Sequence, residues 1–197
     1  MQDLFWMDIR DLRTHQDAAM ALLSKERQMR VARLRTEDDR LRVMAAGLLL
    51  CKVFGAEAEE IQYTEHGKPY LPNGAHFSIS HGGDLAVLAV SDRPVGVDVE
   101  ACTRMASPAV QEKTLTENER QWLAENGTFA YLWTRKESVM KADGRGLALT
   151  PNSFDVLCER VFSYTLSGFE LCGHCIAIAA ENPAPFTLQE VSLAQLL

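Results

Sequence analysis

Two acids stand two residues apart in Gly96-Val97-Asp98-Val99-Glu100. The flanking Val95, Val97 and Val99 are β-branched and predict a short strand. Alternation along a strand puts Asp98 and Glu100 on one face, roughly 6–7 Å apart at Cβ. Two such carboxylates among valines repel unless a cation neutralises them. Mg²⁺ is the usual solution, since a few carboxylates together with substrate phosphates commonly hold it. The alternative is a solvated edge strand with two exposed acids. The choice depends on whether the chain supplies a third ligand and groups that bind phosphate.

Trp133-Thr134-Arg135-Lys136-Glu137-Ser138-Val139-Met140-Lys141 supplies candidates for both. Trp133, Glu137 and Lys141 recur at i, i+4 and i+8, so a helix presents them on one face. Glu137 can add a metal oxygen, and Lys141 can meet a phosphate one turn later. Taken alone, the same spacing also describes an exposed Glu–Lys pair. Phe77-Ser78-Ile79-Ser80-His81-Gly82-Gly83 ends a strand with a hydroxyl, an imidazole and a glycine-rich turn, all donors suited to a phosphate. Lys68, beside Pro69, is a further candidate. Seven of the chain's 20 Lys and Arg residues lie between Lys25 and Arg42. In a protein of net charge −7, that concentration suggests a local anion site.

The elements that must carry these residues follow from pattern. A strand is expected over 4–10, and a basic helix from Lys25 to Leu34 with Ser24 as its cap. Thr36-Glu37-Asp38-Asp39 opens a long helix to Phe54, which Gly55 ends. Segments 61–64 and 76–80 read as extended, with Pro69 barring a helix between them. Leu85–Val90 is a strand after the turn at His81-Gly82-Gly83-Asp84. A loop with Pro108, over roughly 101–115, leads to a capping box at Thr116–Glu119 and a helix through Ala124. A second long helix occupies 128–142. Strands are expected at 153–157, 161–166 and 172–180, with one more in the tail.

Composition bounds the function. The chain has 197 residues, 47% of them hydrophobic and 24% charged, as in an ordinary soluble protein. No apolar run reaches the roughly 18 residues of a membrane span, and no secretory signal is visible at Met1–Trp6, so a cytoplasmic protein is expected. The acidic balance argues against a general nucleic-acid binder. Five cysteines are too few and too scattered for a disulfide framework. Cys172-Gly173-His174-Cys175 runs into an apolar strand with no second ligand pair at zinc spacing, so it reads as structural.

The ordered series Gly-Lys-Pro, Phe-Ser-Ile-Ser-His, Gly-Val-Asp-Val-Glu and Trp-Thr-Arg-Lys-Glu-Ser-Val-Met-Lys resembles the 4′-phosphopantetheinyl transferase superfamily in its two-lobed, surfactin-synthetase-activating type. The motifs span roughly residues 25–147. The resemblance implies Mg²⁺-dependent transfer of the phosphopantetheine arm of coenzyme A to a serine of an apo acyl or peptidyl carrier protein, with release of adenosine 3′,5′-bisphosphate. It implies Asp98, Glu100 and Glu137 as metal ligands. Lys68, Ser80, His81 and Lys141 match positions that contact coenzyme A. Arg27 and Arg30 fall where the family's basic residues, there Lys, face the nucleotide 3′-phosphate. Glu137, Lys141 and His81 would act in catalysis, with either Glu137 or a water on the metal as base. Glu119 matches a structural glutamate.

The resemblance further implies an α+β fold of two similar lobes, 1–93 and 94–197, related by a pseudo-two-fold axis. An internal repeat at an offset of ninety agrees with this. It aligns Asp8 with Asp98, the two long helices with each other, and Gly83–Val90 with Gly173–Ala180. Arg10 and Gly47 stand where the other half has Glu100 and Glu137, so a single asymmetric site and a monomer are expected. Two other functions use the same residues: a Mg²⁺-dependent diphosphate hydrolase, and a non-catalytic module that binds coenzyme A or a carrier.

Overall fold

The computed structural model describes residues 2–72 and 74–197. The fold is mixed α+β, built on two four-stranded sheets. In the first, β1 (Asp3–Asp8) lies between β5 (Leu85–Ser91) and β10 (Thr187–Glu190), and β4 (His76–Gly82) pairs the far side of β5. β1 and β10 are parallel; the other pairings are antiparallel. In the second, β6 (Val95–Ala101), β9 (His174–Ala180), β8 (Tyr164–Leu171) and β7 (Arg160–Val161) follow in that order, all antiparallel. A two-stranded ribbon joins β2 (Gln62–Tyr63) to β3 (Pro69–Tyr70).

Apolar alternation dictates the layers. Leu4, Leu85, Val87 and Ala89 of the first sheet pack against Val95, Val97, Val99, Ile176 and Ile178 of the second. Each outer face then receives a long helix. α3 (Glu37–Phe54) buries Leu41, Met44, Leu48 and Leu49 against Met7, Ile9, Ala86 and Leu88. α6 (Phe129–Asp143) buries Leu132, Val139 and Met140 on the second sheet. Full burial of such side chains contributes roughly 1.5–3 kcal/mol each. No described helix is long and apolar enough to cross a membrane.

Turn chemistry fixes the hairpins. Cys172 and Gly173 both have positive φ, +50° and +75°, as a two-residue type I′ turn requires. Gly83 has φ +54°, and a Cβ there would stand 2.2 Å from Nε2 of His174. That ring is the latch between the two hairpins: Nε2 accepts from the Asp84 amide at 3.0 Å, and Nδ1 lies 2.9 Å from the Cys172 carbonyl.

The secondary structure departs from the sequence reading in several places. The basic helix α2 covers Lys25–Ala32, stopping before Leu34, and a short α1 (Gln16–Ala21) precedes it. The expected loop over 101–115 contains α4 (Pro108–Thr114), with proline at the first position, where its missing N–H costs nothing. α5 runs from Glu117 to Asn126. Segment 153–157 is not a strand, because side chains take its backbone groups instead of a ladder. Glu119 Oε1 accepts from the Val156 amide at 2.8 Å, and Arg135 Nε donates to the Val156 carbonyl at 2.7 Å. Segment 161–166 is interrupted by a turn at Phe162, φ +53°, so β8 begins at Tyr164.

Candidate functional site

β6 is the edge strand of its sheet, and its free edge meets β4. Small residues on β4 permit the approach. Ser78 Oγ accepts from the Val97 amide at 3.0 Å, and a Cβ on Gly82 would stand 2.2 Å from the Val99 carbonyl oxygen. On the other side α6 lies directly on Gly96, where a Cβ would meet the Ser138 carbonyl oxygen at 2.0 Å. Residues 96, 98 and 100 share a face. Asp98 and Glu100 therefore look toward the helix that carries Glu137 and Lys141.

These residues line one cavity of about 480 Å³. Of the nine site residues expected from sequence, eight are there: Arg27, Arg30, Ser80, His81, Asp98, Glu100, Glu137 and Lys141. Lys68 is not brought to it. Its ammonium donates to the Ala142 carbonyl at 2.8 Å, capping the last turn of α6, and its side chain lines a neighbouring cavity. Gly67 and Pro69 on either side of it do reach the main cavity. Burial holds the Lys68 ammonium below the usual lysine range.

Asp98 is the centre of the polar network. Its Oδ1 accepts from Lys141 Nζ at 2.6 Å and from Ser80 Oγ at 2.7 Å, while Lys141 also donates to Ser80 Oγ at 2.8 Å. Asp98 Oδ2 is buried and, among the described residues, has no hydrogen-bond partner. Glu100 pairs with Arg104, whose guanidinium lies 5.6 Å over the Trp133 ring. Burial and the charge of Asp98 push the Glu137 carboxyl above the usual range, against the pull of Lys141 and Arg104. Burial, then the charge of Lys141, hold the His81 imidazole below its usual value, so it is a neutral donor or acceptor at pH 7.

The cavity lining gains two cations, Arg27 and Arg30, from α2. Ser24 caps it by accepting from the Arg27 amide, and Arg30 reaches Tyr63 Oη at 3.5 Å. Gly47 on α3 makes room, because a Cβ there would stand 2.9 Å from Leu23 and 3.5 Å from the Arg27 stem. Asp8 on β1 accepts from Arg10 Nε at 2.9 Å. Arg104 and Tyr63 were not foreseen. Arg104 lies beyond the strand that carries Glu100, where no periodicity joins the two. Trp133 was visible only as the first member of the Trp133–Glu137–Lys141 face.

The donor set suits a hard divalent cation. Three carboxylates line the cavity, though among the described residues their oxygens do not gather within 4.8 Å of one another and Glu100 is paired with Arg104. Asp98 offers a buried oxygen with no partner among the described residues, and the Glu137 carboxyl is held above its usual range by burial and then by Asp98. Arg27 and Arg30 suit an anion. The cavity as a whole is lined by both carboxylates and guanidinium groups.

Residues 94–182 match the family described as "4′-phosphopantetheinyl transferase superfamily", and residues 10–93 match "4′-phosphopantetheinyl transferase, N-terminal". The chain is 36% identical to the 4′-phosphopantetheinyl transferase gsp of Aneurinibacillus migulanus over 67% of its length, spanning 60% of that protein. It is 31% identical to the transferase ffp of Bacillus subtilis, over 71% of this chain and 68% of the relative. It is 29% identical to Sfp of Bacillus subtilis strain 168, over 70% of this chain and 67% of the relative.

Proposed function

On the premise that the chain belongs to the 4′-phosphopantetheinyl transferases, in their surfactin-synthetase-activating, Sfp-like type, we propose that it transfers the 4′-phosphopantetheine arm of coenzyme A to a serine of an apo carrier protein. The observation that carries this reading is the convergence of Asp98 and Glu100 from β6, Glu137 and Lys141 from α6, and Ser80 and His81 from β4 on one cavity.

Asp98, Glu100 and Glu137 would hold Mg²⁺. When bound, it would withdraw charge from the diphosphate of coenzyme A and so favour departure of the nucleotide. Arg27 and Arg30 hold the nucleotide end by its 3′-phosphate. Lys141 and His81 donate to the diphosphate oxygens, which gain charge as the bond to the leaving group breaks. Glu137 accepts the proton of the carrier serine. The serine oxygen bonds to the phosphorus bearing the pantetheine arm, the bond from that phosphorus to the nucleotide opens, and adenosine 3′,5′-bisphosphate leaves.

The matched families meet between residues 93 and 94, which supports reading 1–93 and 94–197 as two lobes. The strand orders β1-β5-β4 and β6-β9-β8, each with its own long helix, support a pseudo-two-fold relation between them. A chain that contains its own internal pair is proposed to act as a monomer. The test is to incubate it with coenzyme A, Mg²⁺ and an apo carrier protein and to weigh the carrier. A phosphopantetheine-sized gain on one serine supports transfer. Hydrolysed coenzyme A with unmodified carrier would make it a diphosphate hydrolase, and binding without turnover a non-catalytic module.

A further inference from the structure

Two thiols outside the cavity are brought together by the second sheet. Cys102 Sγ and Cys175 Sγ lie 3.0 Å apart, although 73 residues separate them in sequence. The register explains the meeting. Glu100, Cys175 and Glu170 form one row across β6, β9 and β8, on one face of the sheet. Cys102 follows Glu100 by two residues, and its amide donates to the Gly173 carbonyl at 2.9 Å, so it takes the diagonal position beside Cys175. The Cys172-x-x-Cys175 spacing is not the pair. Cys172 is held in the hairpin turn, exposed.

We propose that Cys102 and Cys175 are a redox-modification site, a dithiol that a hydroperoxide converts to a disulfide and that thiol reductants restore. Cys102 is half-buried and Cys175 is 5% exposed, so Cys102 meets the oxidant first. The Cys102 thiolate attacks the peroxide, giving a sulfenic acid and hydroxide. Cys175 sulfur then displaces the sulfenic hydroxyl, which leaves as water with the Cys175 proton. Two thiols lose two electrons in all, and one hydrogen peroxide is reduced to two waters. The bond fastens the exit of β6 just after Glu100, and with it the start of the segment carrying Arg104.

Glu170 makes a divalent soft metal the competing occupant, since its carboxylate oxygen and the two sulfurs all lie within 4.8 Å of one another. The geometry favours the disulfide. Sulfurs sharing a tetrahedral zinc at about 2.3 Å would stand roughly 3.7 Å apart, wider than the 3.0 Å seen.

The experiment requires no transferase activity, so its failure is separate from failure of the proposed function. The reduced protein is treated with hydrogen peroxide, alkylated under denaturing conditions, and mapped by peptide mass spectrometry with and without dithiothreitol. Expected are the loss of two of five alkylatable thiols, a reducible Cys102–Cys175 cross-linked peptide, and a higher thermal midpoint in the oxidised protein. Cys172→Ser should retain the cross-link and Cys102→Ser should lack it. Retention of all five thiols, a cross-link through Cys172, or irreversible oxidation without a cross-link would overturn the proposal. So would one equivalent of Zn²⁺ that protects both thiols and is lost in Cys102→Ser and in Glu170→Gln.

Discussion

The ammonium of Lys136 meets the Glu119 carboxylate at 2.8 Å with both side chains fully buried. Lys136 is therefore not a second phosphate binder beside Glu137. Burial lowers its pKa, and Glu119 opposes that shift. The pair also ties down the chain that follows α6. Lys136 donates to the Pro151 and Phe154 carbonyls, while Glu119 accepts from the Thr116 and Val156 amides. Removing one partner strands a buried charge, a loss of about 3–5 kcal/mol. Glu119→Gln should lower unfolding stability by that amount in urea denaturation. Adding Lys136→Met to it should cost less than the two single losses summed. Strict additivity would show that the two charges do not act as a pair.

The close approach of Gly96 to α6 makes a second prediction. In Gly96→Ala the new Cβ would meet backbone atoms, the Ser138 carbonyl oxygen at 2.0 Å and the Ala142 amide nitrogen at 2.3 Å. Backbone cannot rotate aside, so helix and strand must separate. The cost should exceed about 1–3 kcal/mol, the usual range for overpacking. Separation also draws Glu137 and Lys141 away from Asp98, so transfer should fall further than stability explains. A variant with normal stability and normal transfer would contradict this packing.

Acid stability should depend on Asp155. Burial pushes its carboxyl up, but donors from the Leu157 amide, Asn118 and Thr116 outweigh that and leave it below the usual range. The unfolded carboxyl titrates near about 3.9. The contribution is thus fully present above that value and lost as pH falls through the lower folded pKa. Asp155→Asn should be less stable than the parent at pH 6, with the gap closing below about pH 4. Thermal midpoints across that range would show it, and a pH-independent gap would assign the loss to packing instead.

The metal strand and the second long helix were legible because each writes its function in a local period: alternation for Asp98 and Glu100, four-residue spacing for Glu137 and Lys141. Arg27 and Arg30 were legible as an excess of charge. Lys68 instead turns to the Ala142 carbonyl, and sequence spacing cannot say which way a lysine turns beside the end of a helix. Segment 153–157 has the composition of a strand, yet it is fixed by Glu119, Arg135 and Lys136 from elements far away in sequence. The Cys102–Cys175 contact arises from register, which no local pattern records, whereas Arg104 reaches Glu100 through the turn that follows β6.

Glu137 and Asp98 should fail differently when altered. Asp98 Oδ2 is buried and free of protein partners among the described residues, so an amide there removes charge exactly where a cation would sit. Asp98→Asn should weaken Mn²⁺ binding, measured by electron paramagnetic resonance, and abolish metal-dependent transfer while the circular dichroism spectrum stays unchanged. Glu137 is assigned both a metal oxygen and the proton acceptor. Glu137→Gln keeps the cavity's shape and the cations at Arg27 and Arg30, so coenzyme A should still bind in calorimetry. Loss of the base alone should slow transfer by about 10²–10⁴-fold. Full transfer by Glu137→Gln would remove both assigned roles at once. Weakened coenzyme A binding with unchanged single-turnover transfer would confine Glu137 to holding the substrate.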